Sequence, residues 1–194
     1  MIGYLVSVIC MVLTAIVLQQ FMAAIEGLYD ARILIVPLVF LCGSVTVSMG
    51  SMLVLAFVCG FLWDAQHLPG VMTDLGNTVY TRPAEMLRFG YSIILYASMG
   101  FLMQGIRPLF REGKWHVSAL LTGVAIFLYL FAEFMLITFV RGEFILTRGI
   151  MLKISFCALL TMLFSPLVFW VLFKFAALFN HTIRYDGLKT RRRA

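Results

Sequence analysis

The sequence predicts an all-α integral membrane protein of about six transmembrane helices, and three observations carry that expectation. Of 194 residues, 62% are hydrophobic and only 12% are Asp, Glu, Lys or Arg, about half the charged fraction of an ordinary soluble domain. The mean hydropathy is +1.01. Stretches free of Asp, Glu, Lys and Arg run from Met1 to Ile25, Ile33 to Trp63, Phe89 to Ile106, Trp115 to Ala132 and Ile154 to Phe173. Each reaches or approaches the roughly 18–20 residues that cross hydrocarbon.

The first stretch has no Lys or Arg between Met1 and Leu18, and its apolar run continues past Gln19 and Gln20 to Ile25. A cleaved signal peptide would need a basic start, a shorter apolar core and a small-residue cleavage site, so a retained helix over 2–25 is expected. Residues 33–63 exceed one span and fall short of two full ones. Around Gly43, Ser44, Thr46, Ser48, Gly50 and Ser51 the composition turns small and polar, as at a tight turn. Two short helices, 32–45 and 50–63, are therefore expected in preference to one long tilted helix, which small residues would also tolerate. Spans over 88–106, 116–139 and 152–178 complete a six-helix domain within residues 1–180, followed by a basic tail over 181–194.

An even number of spans places both termini on one side. Arg107, Arg111 and Lys114 share that side with Arg184, Lys189, Arg191, Arg192 and Arg193 of the tail. Arg32, Arg82, Arg88, Arg141, Arg148 and Lys153 lie opposite, in the company of Glu26, Asp30, Asp64, Asp74, Glu85 and Glu143. Retention of basic loops in the cytoplasm puts both termini there. The tail would also attract anionic lipid headgroups, at about 1 kcal/mol per basic residue; it is too short to suggest nucleic-acid binding. Trp63 and Trp115 fall at span ends, where amphipathic rings anchor, and Lys174 is expected to snorkel past Trp170 and Phe173 toward the headgroups.

Little chemistry can be read from the polar residues. Cys10, Cys42, Cys59 and Cys157 lie in apolar runs without ligand spacing and read as small buried residues. Asp64 and His67 could share a helical face, but two ligands do not make a metal site; capping and loop hydrogen bonds are the simpler reading. No nucleophile motif, Gly-rich phosphate loop or His-Glu zinc motif occurs. No catalytic residue, metal ligand or cofactor is therefore expected. Glu133 alone lies deep in a span, among apolar neighbours from Phe127 to Phe139, where a charge costs several kcal/mol unless it is paired or protonated. It reads either as a relay or substrate contact, or as a structural hydrogen-bonding group.

One pattern along the first 71 residues carries a resemblance. A first helix ends Leu18-Gln19-Gln20, a short loop leads to an apolar second helix with Pro37, and a third helix closes Gly60-Phe61-Leu62-Trp63-Asp64 before a loop reading Leu68-Pro69-Gly70-Val71. It resembles the rod shape-determining protein MreD family, which has a Leu-Gln pair near the end of span one and a Gly-x-x-x-Asp closing span three. The Pro-Leu-Gly-like element that follows in that family differs here in order. The later spans match in number, in length and in Arg107 after span four.

The resemblance implies a six-helix fold similar to the S components of ECF transporters, a non-enzymatic role in bacterial cell elongation at the cytoplasmic membrane, and action with an MreC-like single-span partner and other elongation proteins in peptidoglycan synthesis. Gln19, Gly60 and Asp64 are the family positions matched. Gly43, Ser44, Gly50, Gly60 and Gly100 are small enough to let a partner helix approach a lipid-embedded groove. The competing reading is a small-molecule binding or transport subunit of S-component type, which needs polar groups converging in a pocket. Glu133 and Gln104 are the candidates within the spans. An intramembrane enzyme would need a paired base and nucleophile, or metal ligands at one depth, and the sequence shows neither.

Overall fold

The computed structural model describes residues 2–22, 25–29, 31–66, 90–107, 115–141 and 147–179. The described residues are all-helical: α1 (Ile2–Phe21), α2 (Ile35–Thr46), α3 (Met49–Gln66), α4 (Tyr91–Ile106), α5 (Trp115–Arg141) and α6 (Arg148–Leu178), with a 3-10 turn at Glu26–Leu28. Helices α1, α3, α5 and α6 are long and apolar enough to cross a bilayer. Helices α2 and α4, at 12 and 16 residues, are shorter than a full span. The expected features that lie outside the described residues are Asp30, the loop with His67, Leu68-Pro69-Gly70-Val71, Asp74, Arg82, Glu85 and Arg88, the residues Arg111, Lys114 and Glu143, and the tail.

Helix α2 is the centre of the molecule. It packs against each of the other five helices, and every residue from Val36 to Val47 is buried. A helix apolar on all faces belongs inside, and Ile35–Thr46 has no Asp, Glu, Lys or Arg. At about 1.5 Å per residue it is only about 18 Å long, too short for its two ends to reach both membrane interfaces. Those ends carry backbone groups that must find partners away from water.

Side chains from other helices supply them. Leu34 N donates to Thr161 Oγ1 of α6 at 3.1 Å and Ile35 N to Gln19 Oε1 of α1 at 2.7 Å. Pro37 has no N–H to satisfy. The extended approach to α2 is held in the same way: Gln19 Nε2 donates to Ile33 O at 3.0 Å, and Arg32 N donates to Cys157 Sγ at 3.3 Å. Gln19 thus clamps the chain on both sides of Leu34. Gln19→Leu removes both bonds and should cost about 1–3 kcal/mol, read as a lower midpoint of thermal unfolding in detergent; an unchanged midpoint would mean water replaces the amide.

At the other end, α2 turns into α3 through Val47 and Ser48. Ser44 Oγ donates to Leu41 O and Thr46 Oγ1 to Gly43 O, while Tyr4 OH donates to Thr46 Oγ1 at 2.8 Å. Gln104 Nε2 of α4 donates to both Ser44 O at 2.6 Å and Val47 O at 3.0 Å. Arg107 Nη1 donates to Gln104 Oε1 at 3.3 Å, which orients the amide. The hairpin turn is therefore held by the last turn of α4.

Close packing follows from glycine. On α3 the buried residues Met52, Leu55, Ala56, Cys59, Gly60 and Asp64 form one stripe, set against the α4 stripe of Ser92, Leu95, Tyr96, Met99, Gly100, Met103 and Gln104. A Cβ added at Gly60 would lie 2.5 Å from Ile93 Cα, so the two backbones touch there. Helices α5 and α6 form the other close pair. Trp63 is half-buried against the core, and Lys174 Nζ rests 4.1 Å from the centroid of the Trp170 ring, a cation–π contact on the outer face of α6.

The helices end at different levels. Gly3 of α1 faces Phe179, just past α6, while the chain following α1 is bonded to Cys157 and Thr161. Residues 148–156 of α6 therefore run on past the end of α1, by about 14 Å at helical rise. The segment after α1 folds back against this extension: Tyr29, in the left-handed region at φ 55°, stacks on Phe156 with ring centroids 6.0 Å apart.

Candidate functional site

Glu133, half-buried, stands on α5 one turn beyond Tyr129. That spacing is set by the helix alone: residues four apart stand one above the other. Tyr129 is 1% exposed and Tyr96 of α4 is fully buried. Their rings tilt against each other with centroids 5.3 Å apart, and Phe40 of α2 packs edge-on to Tyr96 at 5.0 Å. The two hydroxyls are within reach of each other, yet neither meets hydrogen-bond geometry with any described group. Burying a hydroxyl without a partner costs about 1–3 kcal/mol, so two together mark a place where the fold leaves polar capacity uncommitted.

Asp64 closes the cluster from α3. Its Oδ2 accepts a hydrogen bond from Gly90 N at 2.6 Å, at the position that caps α4, where Gly90 adopts φ 101°. The carboxylate so neutralises part of the positive end of a helix to which it does not belong. Asp64 is also within electrostatic range of Glu133 and Tyr129, and Cys59 stands near both tyrosines. These groups, from three helices, lie within electrostatic range of one another toward the end of the bundle away from the start of α1. No described Lys or Arg pairs with either acid.

A second interior group lies further along α5, two turns from Tyr129. There the Cys42 thiol of α2 stands against Thr122 of α5 and Ser165 of α6. Thr122 Oγ1 donates to Ser118 O at 2.8 Å. Pro166 in α6 removes the backbone bond to Met162 O, beside the Ser165 hydroxyl. The described residues contain no group of three or more His, Cys, Asp or Glu placed to hold a metal ion.

The structure gathers only part of the candidate set. Asp64 lies within electrostatic range of Glu133. Gln19 lies near the start of α2 as a backbone clamp. The small residues do not line a lipid-facing groove: Gly43 faces Val8 and Leu55, Gly60 faces Ile93, Gly100 faces Met52 and Phe40, and Ser44 is buried. Their smallness is used up in intramolecular packing. Gly50 alone of them is exposed, and a Cβ there would meet nothing within 4 Å. Tyr96 and Tyr129 were not legible as site residues, because aromatic residues recur throughout the spans and only helix crossing brings these two to the acids. The i, i+4 relation of Tyr129 to Glu133 was the signal available. No family model, curated protein or solved structure matches the chain.

Proposed function

We propose that the protein is a non-enzymatic scaffold of the bacterial cytoplasmic membrane, with both termini in the cytoplasm. In this reading it receives the transmembrane helix of an MreC-like single-span partner and helps organise peptidoglycan synthesis and rod shape, together with other elongation proteins and the surrounding lipid. The reading starts from the resemblance of residues 1–71 to the MreD family. Its main support is what Gln19 and Asp64 do: each satisfies backbone N–H groups at the start of a helix, α2 and α4 respectively. Polar residues committed in that way hold a frame, which is what a docking protein needs.

The docking surface in this reading is the outer stripe of α3, where Gly50, Val54, Phe57 and Phe61 fall at helical spacing and are exposed. The Phe57 and Phe61 rings stack 6.0 Å apart. Gly50 offers close approach without an internal role. Co-purification of the tagged protein from detergent-solubilised native membranes should recover a single-span protein. Gly50→Leu should lose that partner while melting at or above the wild-type temperature, since leucine favours the helix by about 0.8 kcal/mol over glycine. Asp64→Ala should lose both partner and stability.

The acid–tyrosine cluster favours a second reading, a small-molecule binding or transport subunit of S-component type. Recovery of an ATPase pair in the same experiment would replace the scaffold with that subunit.

A further inference from the structure

The geometry points to a binding site for one phosphate-bearing anionic lipid headgroup, held by Arg32 and Lys153 where the chain after α1 meets α6. It goes beyond the scaffold reading and does not depend on it. Three observations converge. First, the two basic residues share one spot. Arg32 N donates to Cys157 Sγ at 3.3 Å, and Lys153 stands one turn before Cys157 on the same face of α6, where side chains four apart are rooted about 6 Å from each other. Both Arg32 and Lys153 are exposed. Second, the spot lies at headgroup depth. Residues 154–173 of α6 include no charged residue. Lys153 and Lys174, which flank them, stand about 32 Å apart at helical rise, close to the roughly 30 Å thickness of hydrocarbon. Third, an apolar surface adjoins it. Tyr29 stacks on Phe156 with ring centroids 6.0 Å apart, Leu152 stands one turn before Phe156, and Tyr29 and Leu152 are 56% and 40% exposed.

The pairing selects the ligand. A guanidinium offers parallel N–H donors to a phosphate, and an ammonium adds a second, movable charge. Two cations at one spot favour a phosphodiester that carries no cation of its own. Phosphatidylglycerol therefore suits the site, and phosphatidylcholine, whose choline would meet the second basic group, does not. The strip of Tyr29, Phe156 and Leu152 gives the upper acyl carbons a surface to lie on, which a free phosphate would not use. The bond that ties Arg32 to α6 is made by its backbone N–H, so replacing the side chain leaves that bond in place.

The test uses the full-length protein with Arg191, Arg192 and Arg193 changed to Gln, so that the basic tail does not compete. It is titrated in a neutral detergent with phosphatidylglycerol, or with phosphatidylcholine of the same chains, and bound lipid is counted by native mass spectrometry. The expected result is one phosphatidylglycerol retained saturably, and more tightly than phosphatidylcholine. Arg32→Gln and Lys153→Gln should each weaken it by about fivefold, the worth of one basic residue near anionic headgroups, while the lipid-free melting midpoint stays at the wild-type value. Equal retention of the two lipids overturns the site, as does undiminished binding in the double glutamine variant. A loss of lipid matched by a fall in the lipid-free midpoint would make the two residues structural and overturn the assignment. Displacement by inorganic phosphate would give the two cations to a soluble anion and equally overturn the lipid. Partner recovery is read separately, so failure here leaves the scaffold reading standing or falling by its own experiment.

Discussion

Gly60→Leu is expected to prevent the bundle from assembling, because the α3–α4 pair closes directly on the missing side chain. Even alanine puts a carbon 2.5 Å from Ile93 Cα and 2.6 Å from Ile93 N. Those are backbone atoms of α4, which cannot swing aside as the end of a side chain can. Gly60→Ala should therefore cost about 3 kcal/mol, and leucine more. Gly100→Ala is the informative comparison. Its new carbon would press on the Met52 sulfur and lie 3.1 Å from Phe40 Cζ, and the thioether can rearrange, so a loss nearer 1 kcal/mol is expected. Heating each variant in detergent and measuring the fraction that stays monodisperse checks both, with Gly50→Leu as the surface control. Equal tolerance at 60 and 100 would mean that α3 and α4 can separate freely.

Gln104→Leu should be the next most damaging single change. Its shape suits the buried site, so the effect isolates hydrogen bonding from packing. The amide serves two carbonyls, Ser44 O and Val47 O, at 2.6 and 3.0 Å, and its oxygen receives Arg107 Nη1. Leucine would leave the end of α2 without those donors and withdraw an acceptor from a buried guanidinium. The expected loss is about 2–4 kcal/mol, from about 1–3 kcal/mol per buried group left unsatisfied. Hydrogen exchange should show the effect concentrated at the α2–α3 turn, in faster exchange of Val47 N, which donates to Gly43 O at 3.2 Å. Uniform acceleration throughout the bundle would show instead that Gln104 sets global stability.

The all-helical fold and its membrane character were legible because both depend on quantities a sequence states outright: length, charge-free runs and small polar breaks. The run from Gly43 to Ser51 contains the break at Val47 and Ser48 for that reason. Which surface of each helix faces inward was not legible. In water, a polar face and an apolar face separate outside from inside; in lipid, Leu53 on the surface and Leu55 in the core are equally at home. The small residues illustrate the limit. Gly43, Gly60 and Gly100 suggested a groove open to a partner, and each is closed by its own chain. Periodicity offered no way to distinguish these cases, because a neighbouring helix looks the same to glycine whether it is covalently linked or not. Glu133 could be singled out from its neighbours. Tyr96 could not, since its place beside the acid depends on how α4 crosses α5.

The enclosure of α2 also constrains the order in which the protein can be made. Its first turn is capped by Gln19, synthesised before it, and by Thr161, synthesised 127 positions after Leu34. Until α6 emerges, the Leu34 amide lacks that partner, and a helix of about 18 Å cannot reach both interfaces to borrow water at each end. The nascent chain must therefore carry α2 as an unfinished element, sheltered at the insertion machinery or at the membrane surface. Release into the bilayer as a settled unit waits on the last helix. A chain shortened before Cys157 should be recognised by membrane quality control as incomplete, even though every residue of α2 and its earlier neighbours is present.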